Sequence, residues 1–159
     1  MKVLIIGGGG REHALAWKIS QSPLVKKIYV APGNGGTELD SNIENINISA
    51  IQDLIDFATK QKIDLTVVGP EAPLAIGIVD DFKKNNLAIF GPTKAAAQLE
   101  SSNEFSKSFM ARHNIPTAKF ATFEDTISAH EYIKNNPAPI VIKADGLASG
   151  KGVVVAITD

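Results

Sequence analysis

A chain of 159 residues that is 44% hydrophobic and 21% charged can bury one good core, or one core and a small second unit. With 16 basic against 17 acidic residues it has no surplus of positive charge for a polyanion, which makes nucleic acid a poor partner. The absence of cysteine excludes disulfides, thiolate metal sites and a cysteine nucleophile, and apolar runs such as VLII and VVVAI fall far short of the roughly 20 residues that cross a bilayer.

In chain order, KVLII (2–6) reads as the first strand, followed by the glycine run GGGG and a helix over REHALAWKIS. KIYVA (27–31), IENINI (43–48), DLTVV (64–68) and LAIF (87–90) continue the strands, each β-branched and mostly apolar. Between them, Ile51, Leu54, Ile55 and Ala58 fall at i, i+3, i+4 and i+7, the spacing of one buried helical face, and PLAIGIVDDFKKN repeats it. Strands and helices taking turns predict parallel pairing through right-handed crossovers, hence a doubly wound α/β sheet over about the first hundred residues. The rhythm then changes. Residues 93–114 read as two helical pieces meeting near Ser101 and Ser102, followed by a strand near TAKFATF, a helix over TISAHEYIKN, and two strands joined by glycines in PIVIKADGLASGKGVVVAI.

A strand that ends in glycines and turns into a helix brings bare N–H groups toward a phosphate. Against the dinucleotide pattern G-x-G-x-x-G/A, Gly7 and Gly9 fit the first two places, but Glu12 holds the third, where a small residue should let helix and strand approach. The frame from Gly8 puts His13 there instead. The second strand also ends in YVAPGNGG, without the carboxylate that would hold a ribose hydroxyl, so NAD is disfavoured. A tight turn is the plainer reading of the glycines, and four in a row exceed what a turn requires. For Glu12 the plainer reading is a first-turn carboxylate favoured by the helix dipole, and for His13 an ordinary histidine.

APGNGG and VGPEAPL follow the second and fourth strands on what should be the same rim of the sheet, where ligands of open α/β sheets gather. With residues 7–12 they could surround one small phosphorylated molecule, Asn34 offering a donor and an acceptor, Arg11 a fork for phosphate, and Glu71 an acceptor for hydroxyls or an amine. KADGLASGKGVVV is not a P-loop, because Lys151 is followed by Gly152 and a strand rather than by Ser or Thr and a helix. A hairpin with Gly146, Ser149, Gly150 and Gly152 can fold over a triphosphate, with Lys143 as a point charge on the preceding strand; a plain hairpin with solvated lysines is the alternative.

GGGGREHALAWK, VAPGNGGT, IDLTVVGPEAPLAIGIVD, IFGPTKAAAQLESS and PIVIKADGLASGKGVVVA together resemble, in order along the whole chain, the phosphoribosylamine–glycine ligases (glycinamide ribonucleotide synthetases) of the ATP-grasp superfamily. Each motif is weak, and five in register are specific. The resemblance implies an N-terminal, Rossmann-like α/β substrate-binding domain over 1–100 and an incomplete ATP-grasp α+β domain over 101–159, the chain being an N-terminal portion. It further implies ATP-dependent ligation of glycine to 5-phosphoribosylamine through a glycyl phosphate, in de novo purine biosynthesis, releasing ADP and phosphate. Gly8, Gly9, Gly10, Arg11, Glu12, Asn34, Pro70 and Glu71 would then hold phosphoribosylamine, the glycines making room for a sugar phosphate. Lys143, Gly146, Ser149, Gly150, Lys151 and Gly152 would belong to ATP. Magnesium would accompany ATP, with its carboxylate ligands and most glycine contacts beyond Asp159, so the chain by itself is expected to be inactive and no catalytic residue or metal ligand is assigned within it. One departure stands out: LESSN puts Asn103 where similar enzymes carry a lysine aimed at the ATP phosphates, and Lys107, one helical turn on, is the side chain available to substitute. The other expectations are small-molecule partners only, a monomeric full-length enzyme and a cytoplasmic location, since Lys2 opens no signal-peptide pattern. A non-catalytic sugar-phosphate or nucleotide-binding module is the alternative.

Overall fold

The computed structural model describes residues 1–148 and 151–158, and the chain divides into two compact units, Met1–Ala97 and Gln98–Asp159. The first unit is a five-stranded parallel sheet of β1 (Lys2–Gly7), β2 (Lys27–Pro32), β3 (Ile43–Asn45), β4 (Leu65–Val68) and β5 (Ile89–Phe90), in the order β3-β2-β1-β4-β5. The chain moves outward from β1 to β3 and then returns to place β4 on the other side of β1. The point where the strand order reverses therefore lies between β1 and β4, the position at which open α/β sheets bind ligands.

β1 is apolar at successive positions because the sheet is covered on both faces. Leu4 and Ile6 pack with Leu54, Ile55 and Ala58 of α3 (Ile51–Gln61) and with Ile78, Val79 and Phe82 of α5 (Ile78–Lys84). Val3 and Ile5 point the opposite way, packing with Ala16 of α1 (Gly10–Ser20), Ile28, Val30 and Val67. Tyr29 and Phe57 meet edge to face at 5.1 Å and join β2 to α3. Leu4, Ile5, Ile78 and Phe82 are fully buried, and burial of side chains of this size contributes about 1.5–3 kcal/mol each.

The continuous helix expected over PLAIGIVDDFKKN is two helices, α4 (Glu71–Ile76) and α5. Gly77 ends the first with φ +102, a conformation that an L side chain rarely adopts. At the end of the APGNGG loop, residues 35–38 form the short helix α2 (Gly35–Glu38). The third and fifth strands are shorter than the runs IENINI and LAIF.

α6 (Lys94–Ser101) and α7 (Asn103–Arg112) meet at Ser102, whose hydroxyl accepts the Phe105 N–H and caps α7. The second unit continues with α8 (Thr126–Asn135), capped by Asp125, and the antiparallel pair β6 (Ile140–Lys143) and β7 (Val153–Ala156), in the register Ile140↔Ala156 to Lys143↔Val153. The strand expected near TAKFATF is absent: residues 117–123 carry neither helix nor strand. None of the described residues from 98 to 158 is buried, and Val154 and Val155 are 60% and 63% exposed. No helix among the described residues is long and apolar enough to cross a membrane.

Candidate functional site

The carboxyl ends of β1, β2 and β4 bring together the three loops that the sequence singles out. At the end of β1, Gly9 is the N-cap of α1, and Glu12 reaches back so that its Oε2 accepts the Gly9 N–H at 2.7 Å. This is half of a capping box; Gly9 has no side chain with which to complete the other half. Glu12 is 3% exposed and lies beneath the loop, not on its surface. A Cβ on Gly7 would fall 2.5 Å from Glu12 Cγ and 2.8 Å from Pro70 Cδ, and one on Gly69 would fall 2.5 Å from Glu12 Cγ. Gly7 and Gly69 thus make room for a protein side chain, at the place where the dinucleotide pattern wants a third glycine. The second carboxylate oxygen, Oε1, is buried without a hydrogen-bond partner.

Gly8 serves a close approach between loops, since a Cβ there would lie 2.7 Å from Gly33 O, whereas nothing lies within 4 Å of a Cβ on Gly10. Asn34, expected to offer a ligand a donor and an acceptor, has both engaged with the backbone. Its Nδ2 donates to Gly8 O and Gly9 O at 3.0 and 3.2 Å, and its Oδ1 accepts from Gly36 N and Thr37 N at 2.8 and 3.1 Å, so it staples the first loop to the N-terminus of α2. Thr37 Oγ1 in turn donates to Asn45 Oδ1 at the end of β3. His13 lies half-buried near Gly36, where a Cβ would come within 2.6 Å of its Nδ1.

Pro70 is the N-cap of α4, and Glu71 is the first residue of that helix. The Arg11 fork that was expected to meet phosphate meets Glu71: Nη1 to Oε1 at 2.7 Å and Nη2 to Oε2 at 3.1 Å. The pair is open to solvent, with side chains 66% and 36% exposed. Donation from Arg11 is the main reason that the Glu71 carboxyl is held below the usual carboxylate range. Beside these loops lies a recess of about 310 Å³, walled mostly by apolar groups, including Ile6, Ala31, Pro32, Ile48, Ile51 and Pro70. Sequence patterning gave no sign of it, because its walls come from four separate strand ends and loops.

The nucleotide candidates gather on the β6–β7 hairpin. Lys143 ends β6 and is exposed, Lys151 is exposed, and the Ala144 N–H closes the hairpin on Gly152 O at 2.8 Å. Gly146 has φ +96 in open space, and a Cβ on Gly152 would lie 2.9 Å from that of Ala148. Ser149 and Gly150 lie outside the described residues. Asp145, which the sequence reading passed over, ties the hairpin to the start of α7: Ser102 Oγ donates to its Oδ2 at 3.0 Å and Glu104 N to its Oδ1 at 3.1 Å. The Glu104 N–H is the largest influence holding the Asp145 carboxyl below its ordinary range. Asn103 is exposed at the first position of α7. Lys107, the suggested stand-in for the missing lysine, instead donates to Thr117 Oγ1 at 2.6 Å and Ala118 O at 3.3 Å. Among the described residues no group of three or more His, Asp or Glu is placed to hold a metal ion.

Comparison with known proteins sets this geometry in a family. The N domain of phosphoribosylglycinamide synthetase matches residues 1–100, and the ATP-grasp (A) domain of the same family matches residues 101–159. The phosphoribosylamine–glycine ligase of Neisseria meningitidis serogroup B is 63% identical over 158 residues, 99% of this chain and 37% of the relative. That of Yersinia pestis is 61% identical over 160 residues, with the same shares covered. In structure, the phosphoribosylamine–glycine ligase of Thermotoga maritima superposes with a TM-score of 0.74 at 33% identity, over 98% of this chain and 36% of that one. N5-carboxyaminoimidazole ribonucleotide synthetase from the same organism shares the fold at 16% identity, with a TM-score of 0.71. The chain thus spans 37% of the length of the curated relatives it matches. A parallel sheet with a glycine loop at its switch point, followed by a glycine-linked hairpin, and both of these segments matched in turn, make the chain a member of the phosphoribosylglycinamide synthetase family.

Proposed function

We propose that the chain is the N-terminal portion of an ATP-dependent ligase that joins glycine to 5-phosphoribosylamine. The glycine carboxylate takes the γ-phosphoryl group of ATP to give glycyl phosphate and ADP; the amine then attacks the acyl carbon, and phosphate leaves as the amide forms. The observation that carries this reading is 63% identity over 158 residues, 99% of the chain and so part of both units, to a protein named for that reaction. The geometry supports a division of labour. The rim of Arg11, Asn34 and Glu71 is proposed to seat the sugar phosphate, because it concentrates polar groups at the switch point of the sheet. The hairpin bearing Lys143 and Lys151 is proposed to cover the triphosphate, where exclusion of water would protect an acyl phosphate from hydrolysis.

Calorimetric titration of the chain with ribose 5-phosphate, ATP and NAD, each separately, tests the reading. Saturable heat with ribose 5-phosphate and none with NAD is the expected result. NAD binding without sugar-phosphate binding would return the first unit to the dinucleotide class.

A further inference from the structure

Arg11 and Glu71 meet across the point where the strand order reverses: Arg11 stands on the first turn of α1, after β1, and Glu71 begins α4, after β4. Their two-pronged contact, at 2.7 and 3.1 Å, is satisfied only while the two loops keep one separation. An ion pair with side chains 66% and 36% exposed contributes too little to impose that separation by itself. A buried group must set it, and Glu12, next to Arg11, is in place to do so. Its Cγ and Cδ lie between the ends of the two strands: a Cβ on Gly7, the last residue of β1, would fall 2.5 and 2.7 Å from them, and one on Gly69, just past β4, 2.5 and 2.6 Å. Its Oε2 accepts the Gly9 N–H at 2.7 Å, which holds the turn onto the same side chain. Gly69 N donates to Ile6 O at 3.0 Å, so the pairing of β1 with β4 continues up to this side chain. At 3% exposure Glu12 is packed on every side and cannot yield freely.

We propose that Glu12 is a positioning residue: its buried side chain spaces the loop after β1 from the loop after β4, and so aligns Arg11 with Glu71 on the rim. The role depends on the length of the side chain and on one oxygen that accepts the Gly9 N–H, not on its charge. A ligand then meets Arg11 and Glu71 already fixed, which lowers the cost of ordering them when it binds. The inference rests on the sugar-phosphate reading of this rim and deepens it, by naming a residue that acts on the ligand only through others.

The test follows the Glu71 carboxyl by ¹³C NMR through pH in the whole chain, as wild type, Glu12→Gln and Glu12→Ala, and measures ribose 5-phosphate binding to each by calorimetry. Glu71 reports the alignment, because donation from Arg11 is the main cause of its lowered pKa. In E12Q, which keeps the length and the acceptor, Glu71 should titrate as in wild type. In E12A, with Arg11 still present, it should move toward the ordinary value of 4.5. Ribose 5-phosphate should bind E12A about tenfold more weakly, the worth of one hydrogen bond to a charged group. An E12A in which Glu71 titrates as in wild type overturns the proposal; so does an E12Q that behaves as E12A, and so does unchanged affinity in E12A where wild type binds. Should E12A not fold, Gly69→Ala displaces the same side chain from the β4 side and is read in its place, with the same shift expected and an unmoved Glu71 counting as refutation. Ribose 5-phosphate separates the two claims: if Glu71 shifts as described while wild type binds no ribose 5-phosphate, the spacing role stands and the sugar-phosphate reading of the rim falls.

Discussion

Gly69→Ala is expected to destabilise the first unit through its clash with Glu12. Gly69 has no left-handed φ, so the backbone accepts alanine without strain, but the new methyl would fall 2.5 and 2.6 Å from Glu12 Cγ and Cδ. Glu12 cannot swing aside freely, being 3% exposed and tethered to Gly9. Overpacking of this kind costs about 1–3 kcal/mol. For a unit of this size that lowers Tm by roughly 10 °C at the middle of the range. Glu12→Ala by itself loses the hydrogen bond from the Gly9 N–H and leaves a cavity, against which stands relief of a buried oxygen without a partner. In the double variant the clash disappears, and the coupling energy should equal most of the G69A penalty, about 1–3 kcal/mol. Unfolding followed through Trp17, the single tryptophan and a residue of α1, reports this unit directly. Additive losses in the double variant, or a G69A as stable as the wild type, would refute the packing argument.

Arg11→Met should return the Glu71 carboxyl toward its ordinary value of 4.5. Because the folded value is lowered, the pair stabilises the protein above that pH and loses its contribution as pH falls through the folded value; in R11M this acid-side loss should shrink, and at neutral pH the change should stay within about 1 kcal/mol for so exposed a pair. A ¹³C titration of the Glu71 carboxyl checks the shift. Asp145→Ala removes the acceptor of Glu104 N and should cost about 0.5–2 kcal/mol, as other helix caps do, and an unchanged hydrogen-exchange rate at Glu104 would count against that role. The exposed β6–β7 pair should drive concentration-dependent self-association that Val155→Lys weakens; a wild-type chain that sediments as a monomer at every concentration would contradict it.

The sheet was legible because its strands are short β-branched runs and α3 keeps a strict apolar spacing, with Leu54, Ile55 and Ala58 buried as the pattern requires. Gly77 was read through as helix because the apolar period continues across it, while its left-handed turn is visible only in the backbone. TAKFATF carries strand propensity but pairs with no described strand, an instance of context overriding propensity. The site was legible as a set of loops on one rim. Its internal wiring was not, since Arg11 and Glu71 are 60 residues apart and nothing local pairs them. One signal was available: Glu12 shares the i, i+4, i+7 face of Ala16 and Ile19, which pack toward the sheet, so that face places Glu12 inside.

In the proposed function, the rim formed by the ends of β1, β2 and β4 receives the sugar phosphate. The most direct measurement is to map ribose 5-phosphate onto the ¹⁵N-labelled chain by amide shift. Saturable shifts are expected to gather at residues 8–12, 33–36 and 69–72 and to be reduced in Glu71→Gln. Saturable shifts confined to the hairpin of residues 140–156, or none anywhere at concentrations that saturate related sugar-phosphate sites, would contradict it.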